Sequence, residues 1–107
     1  MERKYYEAYD DRYAQVHGQD LQWFAGSPSP VVVEVLERYH IKGKMLEIGC
    51  GEGRDAGYLL ERGYDVLATD VSPAAIRYAR KRFPAFAGRF HVLDCLTEKL
   101  EERFDFI

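Results

Sequence analysis

The sequence predicts an α/β fold, a parallel sheet with flanking helices, and three observations carry that prediction. Apolar runs at Met45–Ile48, Val66–Thr69 and Phe90–Leu93 have the length and content of buried parallel strands. Between them, apolar residues recur at helical spacing: Ala56, Leu59 and Leu60 up to a stop at Gly63, then Ile76, Ala79 and Phe83 up to Pro84. The three strands end on Gly49, Asp70 and Asp94, which puts three loops at one carboxyl edge of the sheet, where open α/β sheets bind ligands.

The first of those loops is the most informative stretch. Gly49, Gly51 and Gly53 alternate with Cys50 and Glu52, directly after a strand and directly before a helix. Glycines let a ligand approach the backbone, and the start of a helix offers unpaired N–H groups and positive potential. Asp70 follows Gly49 by roughly 20 residues, the separation at which an acid accepts from ribose hydroxyls. The site is therefore of nucleotide type. Two residues argue against a dinucleotide: Arg54 stands where that fingerprint needs its third glycine, and Glu47 puts an acid inside an apolar strand. Burying an acid is costly and a pyrophosphate beside it would raise the cost, whereas a cationic ligand would lower it.

With these residues in view, Glu-x-Gly-x-Gly-x-Gly followed by an acid closing the next strand resembles the class I S-adenosylmethionine-dependent methyltransferases. The continuation from Gly53 to Val66 is similar, more loosely, to their tellurite-resistance and thiopurine-type branch, and the match runs from about Lys44 to Asp94. The resemblance implies a Rossmann-like sheet with more strands than this sequence supplies. Phe104–Ile107 reads as the opening of a fourth strand on the far side of the first, so the sheet is expected to be truncated there. A fragment, a shortened gene product and a chain completed by a partner all remain open.

The resemblance also implies roles. The loop with Gly49, Cys50, Gly51 and Gly53 would hold the amino-acid part of S-adenosylmethionine, with Glu47 at its base. Asp70 would accept both ribose hydroxyls, Val71 would pack on the adenine, and Asp94 would accept the adenine amino group with the Cys95 N–H nearby. Cys50 reads as small filler rather than a nucleophile. No catalytic residue is identified, because an acceptor-side base would lie beyond Ile107 in such proteins.

Composition bounds the rest. The chain has 107 residues, 47% hydrophobic and 31% charged, with a formal net charge of −3. That is one globular domain at most, with no overall pull towards nucleic acid or an anionic membrane. No apolar run reaches a membrane span, and the charged, Tyr-rich start is no signal peptide. Cys50 and Cys95 have no metal spacing, so a cytoplasmic protein with free thiols and no metal is expected. A small-molecule acceptor is expected on charge grounds, and self-association through the open sheet edge follows if the sheet is incomplete.

Residues 1–43 read as a helical cap or lid and 44–107 as the N-terminal half of the cofactor-binding domain. Tyr5, Tyr9, Tyr13 and Val16 predict an amphipathic helix over about Lys4 to His17, closed by Gly18. The tyrosines are either a packed face with wet hydroxyls or, for Tyr9 and Tyr13, part of a lid over the ligand. Gln19 to Pro30 is a loop in which Trp23 either covers the pocket or pins the loop to the core. Ser29 and Pro30 start a helix with a buried stripe of Val32, Val35, Leu36 and Tyr39, and Ser72-Pro73 supplies another N-cap and first-position proline for the helix after Val71. The basic cluster Arg77, Arg80, Lys81 and Arg82 reads as a solvated helix face, His91 as an ordinary strand side chain, and His17 and His40 as helix-end residues, none with a metal or catalytic partner in view. A non-catalytic cofactor-binding subunit and a NAD-dependent oxidoreductase are the competing functional readings, the second weakened by Arg54 and Glu47.

Overall fold

The computed structural model describes residues 5–19, 21 and 27–107. Two helices precede the sheet, α1 (Glu7–His17) and α2 (Pro30–Arg38). Then β1 (Lys44–Ile48), α3 (Arg54–Glu61), β2 (Asp65–Asp70), α4 (Pro73–Arg82), a 3-10 helix over Pro84–Arg89 and β3 (Phe90–Val92) follow in alternation. The strands are parallel in the order β1-β2-β3. On the other side of β1, Phe106 makes a parallel bridge to Met45. The predicted α/β architecture is therefore present, with β1 flanked on both sides. Among the described residues, no helix is long and apolar enough to cross a membrane.

Register explains the core. Met45 pairs with Val66, Glu47 with Ala68, and Ala68 with Phe90, so these residues share one face of the sheet. Right-handed crossovers carry α3 and α4 over that same face. There Ala56, Leu59, Leu60, Ile76 and Ala79 meet Met45, Val66, Ala68 and Phe90 in one buried cluster. Phe90, Ile76 and Val66 are almost wholly enclosed, and each contributes about 1.5–3 kcal/mol by leaving water. Gly57, inside α3, lets the helices close up, because a Cβ there would run into the Phe83 ring.

Two cap predictions came out differently. Ser72 caps α4 as expected, its Oγ accepting from the Ala75 N–H at 3.1 Å. Ser29 precedes Pro30 as predicted, but its side chain makes no cap hydrogen bond. Instead the Asp55 carboxylate in the first turn of α3 accepts from both the Ser29 N–H at 2.6 Å and its Oγ–H at 3.1 Å. A two-pronged carboxylate outcompetes a neutral cap, and the result ties the start of α2 to the start of α3.

The stripe on α2 also departs from expectation. Val32 and Leu36 are half-buried, while Val35 (39% exposed) and Tyr39 (62%) face outwards. Val32, Val35 and Leu36 border an apolar groove of about 480 Å³ lined by Leu46, Ile48, Phe106 and Ile107 as well. A stripe is buried only when something covers it, and among the described residues one bridge at Phe106 is all that extends the sheet beyond β1. The segment from Thr97 to Arg103 is irregular after a turn in which the Thr97 and Glu98 N–H groups donate to the Asp94 carbonyl.

Candidate cofactor site at the carboxyl edge of the sheet

The glycine loop is sewn onto the tip of β2. The N–H groups of Gly49 and Cys50 both donate to the Thr69 carbonyl at 2.8 Å, and the Thr69 hydroxyl donates to the Glu47 carbonyl at 2.9 Å. The Gly51 N–H donates to Asp70 Oδ2 at 2.8 Å, and the Gly53 N–H to the Cys50 carbonyl. Most of the loop's own donors are thus turned inwards, so the orphan N–H groups at the start of α3 are the ones left for an anion. This differs from a cradle built from every loop N–H.

The three glycines serve different ends. Gly49 has φ +78° and open space where a Cβ would be. Gly51 also has positive φ, but a Cβ there would lie 2.9 Å from the Tyr13 hydroxyl. Gly53 makes room for the Phe90 ring and the Ala79 methyl. One glycine faces open space, one admits a tyrosine, and one permits packing.

Each acid has a distinct environment. Glu47 lies beneath the loop on the helix-covered face, and burial, reinforced by the nearby Asp55 and Asp70 charges, pushes it up from 4.5 to about 7 against the opposing pull of Arg54. Asp70 accepts from Gly51 with Oδ2 and from the Ser72 N–H with Oδ1 at 2.9 Å. Asp94 Oδ1 accepts from the Leu96 N–H at 3.0 Å and from the Tyr5 hydroxyl at 2.9 Å. That bond pushes Tyr5 up to about 12. Cys50 is buried, and burial raises its thiol well above the ordinary range, which leaves no thiolate. Val71 is half-buried between Asp70 and Ser72, and Cys95 is exposed after β3.

Helix α1 runs across this edge and touches every part of it. Tyr5, one turn before the helix, reaches Asp94. Asp10 Oδ1 accepts from the Ser72 hydroxyl at 2.7 Å and the Ala74 N–H at 2.8 Å, so it supplies the start of α4 with a second, distant cap. Tyr13 is buried against Gly51, and burial together with the Asp70 and Glu52 charges raises its hydroxyl strongly. His17 Nε2 lies 2.7 Å from Glu52 Oε2 inside the glycine loop, and its ring stacks on Tyr78 at 4.1 Å.

The sequence shows no metal or catalytic partner for His17; the fold gives it a hydrogen-bond partner in the buried Glu52. Asp10 and Glu52 were not picked out by sequence reasoning, and Tyr5 was placed only on the amphipathic stripe. Tyr13 and Val16 of the predicted Tyr5, Tyr9, Tyr13, Val16 stripe are buried, but Asp10 and His17 beside them also reach the sheet edge, and polar residues give no hydrophobic signal. Tyr9 is 59% exposed on the other side, and Trp23 lies outside the described residues. His91 bonds only locally, to the Gly88 carbonyl. Among the described residues no group of His, Cys, Asp and Glu is arranged to hold a metal ion.

Comparison with known proteins agrees with this arrangement. The chain is 38% identical over 58 residues to the 2-heptyl-1-hydroxyquinolin-4(1H)-one methyltransferase of Mycobacteroides abscessus, covering 54% of this chain and 26% of that protein. It is 31% identical over 90 residues to a probable thiol methyltransferase 2 of Arabidopsis thaliana, covering 79% and 40%. A TehB-like SAM-dependent methyltransferase structure from Corynebacterium glutamicum superimposes with a TM-score of 0.58 at 30% identity, over 92% of this chain and 50% of that one. The chain thus spans between about a quarter and a half of the length of these relatives. A family model described as a methyltransferase domain matches residues 45–107, from β1 through the glycine loop to the end of the sequence, and the chain belongs to that family.

Proposed function

We propose that the carboxyl edge of this sheet binds S-adenosylmethionine and that the protein transfers its methyl group to a small-molecule acceptor. The observation that carries the reading is Glu47. An acid held near pKa 7 by burial, with two further acids close by, is a site in need of a cation. S-adenosylmethionine brings a sulfonium and an ammonium, and bound here it would supply an electrophilic methyl group.

In this reading the loop from Gly49 to Gly53, with Cys50 and Gly51, holds the amino-acid end, and Glu47 balances its charge. Asp70 has lone pairs beyond those given to Gly51 and Ser72, and these accept from the ribose hydroxyls. Val71 packs on the adenine, while Asp94 and the Cys95 N–H take its polar edge. Residues 1–43 act as the cap, in which Tyr13 and Trp23 exclude water while Tyr9, exposed on the far side of α1, does not, and residues 44–107 form the cofactor-binding part. Alignment of the acceptor and exclusion of water supply much of the rate in such a displacement, so no catalytic residue of this chain is assigned. The relatives reported above are named for a hydroxyquinolinone and thiols, which supports a small acceptor.

Calorimetric titration with S-adenosylmethionine, S-adenosylhomocysteine and NAD tests the reading. Either adenosyl ligand should bind more tightly than NAD, and the reverse order overturns the assignment. Trp23 emission should shift at saturating ligand if its loop is part of the lid.

A further inference from the structure

We infer a second ligand site, for a small molecule carrying two or more phosphate groups, in the cleft between the C-terminal half of α1 and the outer face of α4. The cleft measures about 840 Å³. Its floor is made by the small residues Ala14, Gly18 and Ala74, and its walls carry Arg77, Arg80, Lys81 and Arg82, with the stacked His17–Tyr78 pair at one end. Among the described residues no acidic one lines it, although the whole chain is acidic.

Favourable interaction with the end of the helix dipole accounts for cations in the last turn of α4, but not for Arg77 in its middle. Two of the four are already used: Arg80 donates twice to the Phe90 carbonyl, at 2.6 and 2.9 Å, and Arg82 lies over the Phe83 ring. Arg77 and Lys81 stand one turn apart on the same helix face, both exposed. Neither has a hydrogen-bond or ion-pair partner among the described residues. A planar fork beside a mobile ammonium suits phosphate oxygens, and a single carboxylate needs neither that much charge nor that much room. Sequence alone reads these residues as a solvated face; the concavity beside them is what the fold adds.

The test is titration of the 107-residue chain with pyrophosphate and tripolyphosphate at physiological ionic strength, read by calorimetry and by the rise in thermal midpoint that ligand binding to the folded state produces. Saturable one-to-one binding is expected. The double variant Arg77→Gln/Lys81→Gln should lose about tenfold or more in affinity, while Lys42→Gln/Lys99→Gln, which removes equal charge elsewhere, should bind almost as the parent does. All four positions are exposed, and an unchanged unliganded melt verifies the fold of each variant. Equal losses in both double variants, no saturation in the parent, or tighter binding of an oligothymidylate than of tripolyphosphate would each overturn the proposal. None of these readouts depends on S-adenosylmethionine.

Discussion

Replacing Glu47 by Gln separates the cation-binding reading from a merely structural acid. In the free protein burial holds this carboxyl at about 7 instead of 4.5. The gap is worth roughly 3 kcal/mol at about 1.36 kcal/mol per pH unit, and it is the most a bound cation can recover by returning Glu47 to its ordinary range. The sign follows from proton counting. Free Glu47 is mostly protonated at pH 6 and the cation-bound form is ionised, so binding releases a proton and tightens as pH rises towards 7. Full recovery gives a rise in affinity of roughly eightfold between pH 6 and 7.5, and release of about three quarters of a proton at pH 6.5. Calorimetry in buffers of different ionisation enthalpy measures that release directly. Glu47→Gln should abolish both the release and the slope, while His17 and Glu52 remain in both proteins as a shared background. Proton release of the same size in parent and variant would refute the argument. The same group also makes an unliganded prediction: folded Glu47 holds its proton more tightly than the unfolded chain does, so stability falls as pH rises from about 4.5 to about 7, and Glu47→Gln flattens that fall.

Other substitutions test the neighbouring contacts. Asp70→Ala should weaken adenosyl-ligand binding strongly, at about 1.5–3 kcal/mol per charged hydrogen bond lost, less what water restores; unchanged affinity in a titration would remove Asp70 from the ribose role. Asp70→Asn should be no gentle variant, because both carboxylate oxygens accept backbone N–H groups and an amide would turn its NH₂ on one of them; binding close to the parent's would contradict that geometry. Gly57→Ala should lower the unfolding free energy by about 1–3 kcal/mol, read as a lower denaturant midpoint, despite the better helix propensity of Ala, since the Phe83 ring must shift, and Phe83→Leu added to it should restore part of the loss. Asp10→Ala should cost about 1–2 kcal/mol of docking and speed amide exchange in α1 without affecting β1 and β2; unchanged protection of α1 would mean that the cap on α4 holds nothing down.

The sheet was legible because its signals are local. Strand runs, glycine stops and the Ser72-Pro73 cap each lie within a few residues, and the right-handed rule then orders the strands. The basis of burial on α2 was not legible, because Val35 and Tyr39 have the right spacing but lack a covering surface in the described structure. Tyr13 and Val16 of α1 were legible from their spacing, but its polar contacts were hidden for the opposite reason. Asp10 and His17 look like solvent-facing residues until Ser72 and Glu52, distant in sequence, are brought opposite them. Likewise Gly51 reads as a ligand-facing glycine from its motif, and only the fold shows that Tyr13 fills the space beside it.

Ser72 is where these contacts converge, and it couples the position of α1 to the Asp70 carboxylate. Its N–H donates to Asp70, its hydroxyl donates to Asp10, and the same oxygen accepts from Ala75. Ser72 is wholly buried, and a buried hydroxyl left without its acceptor costs about 1–3 kcal/mol. Lifting α1 therefore removes the Asp10 acceptor from Ser72 and the Tyr13 ring from Gly51, the two groups whose N–H donors orient the Asp70 carboxylate. A ligand that needs Asp70 in this orientation binds more tightly when α1 is down. By the reciprocity of linked equilibria, the same ligand holds α1 down.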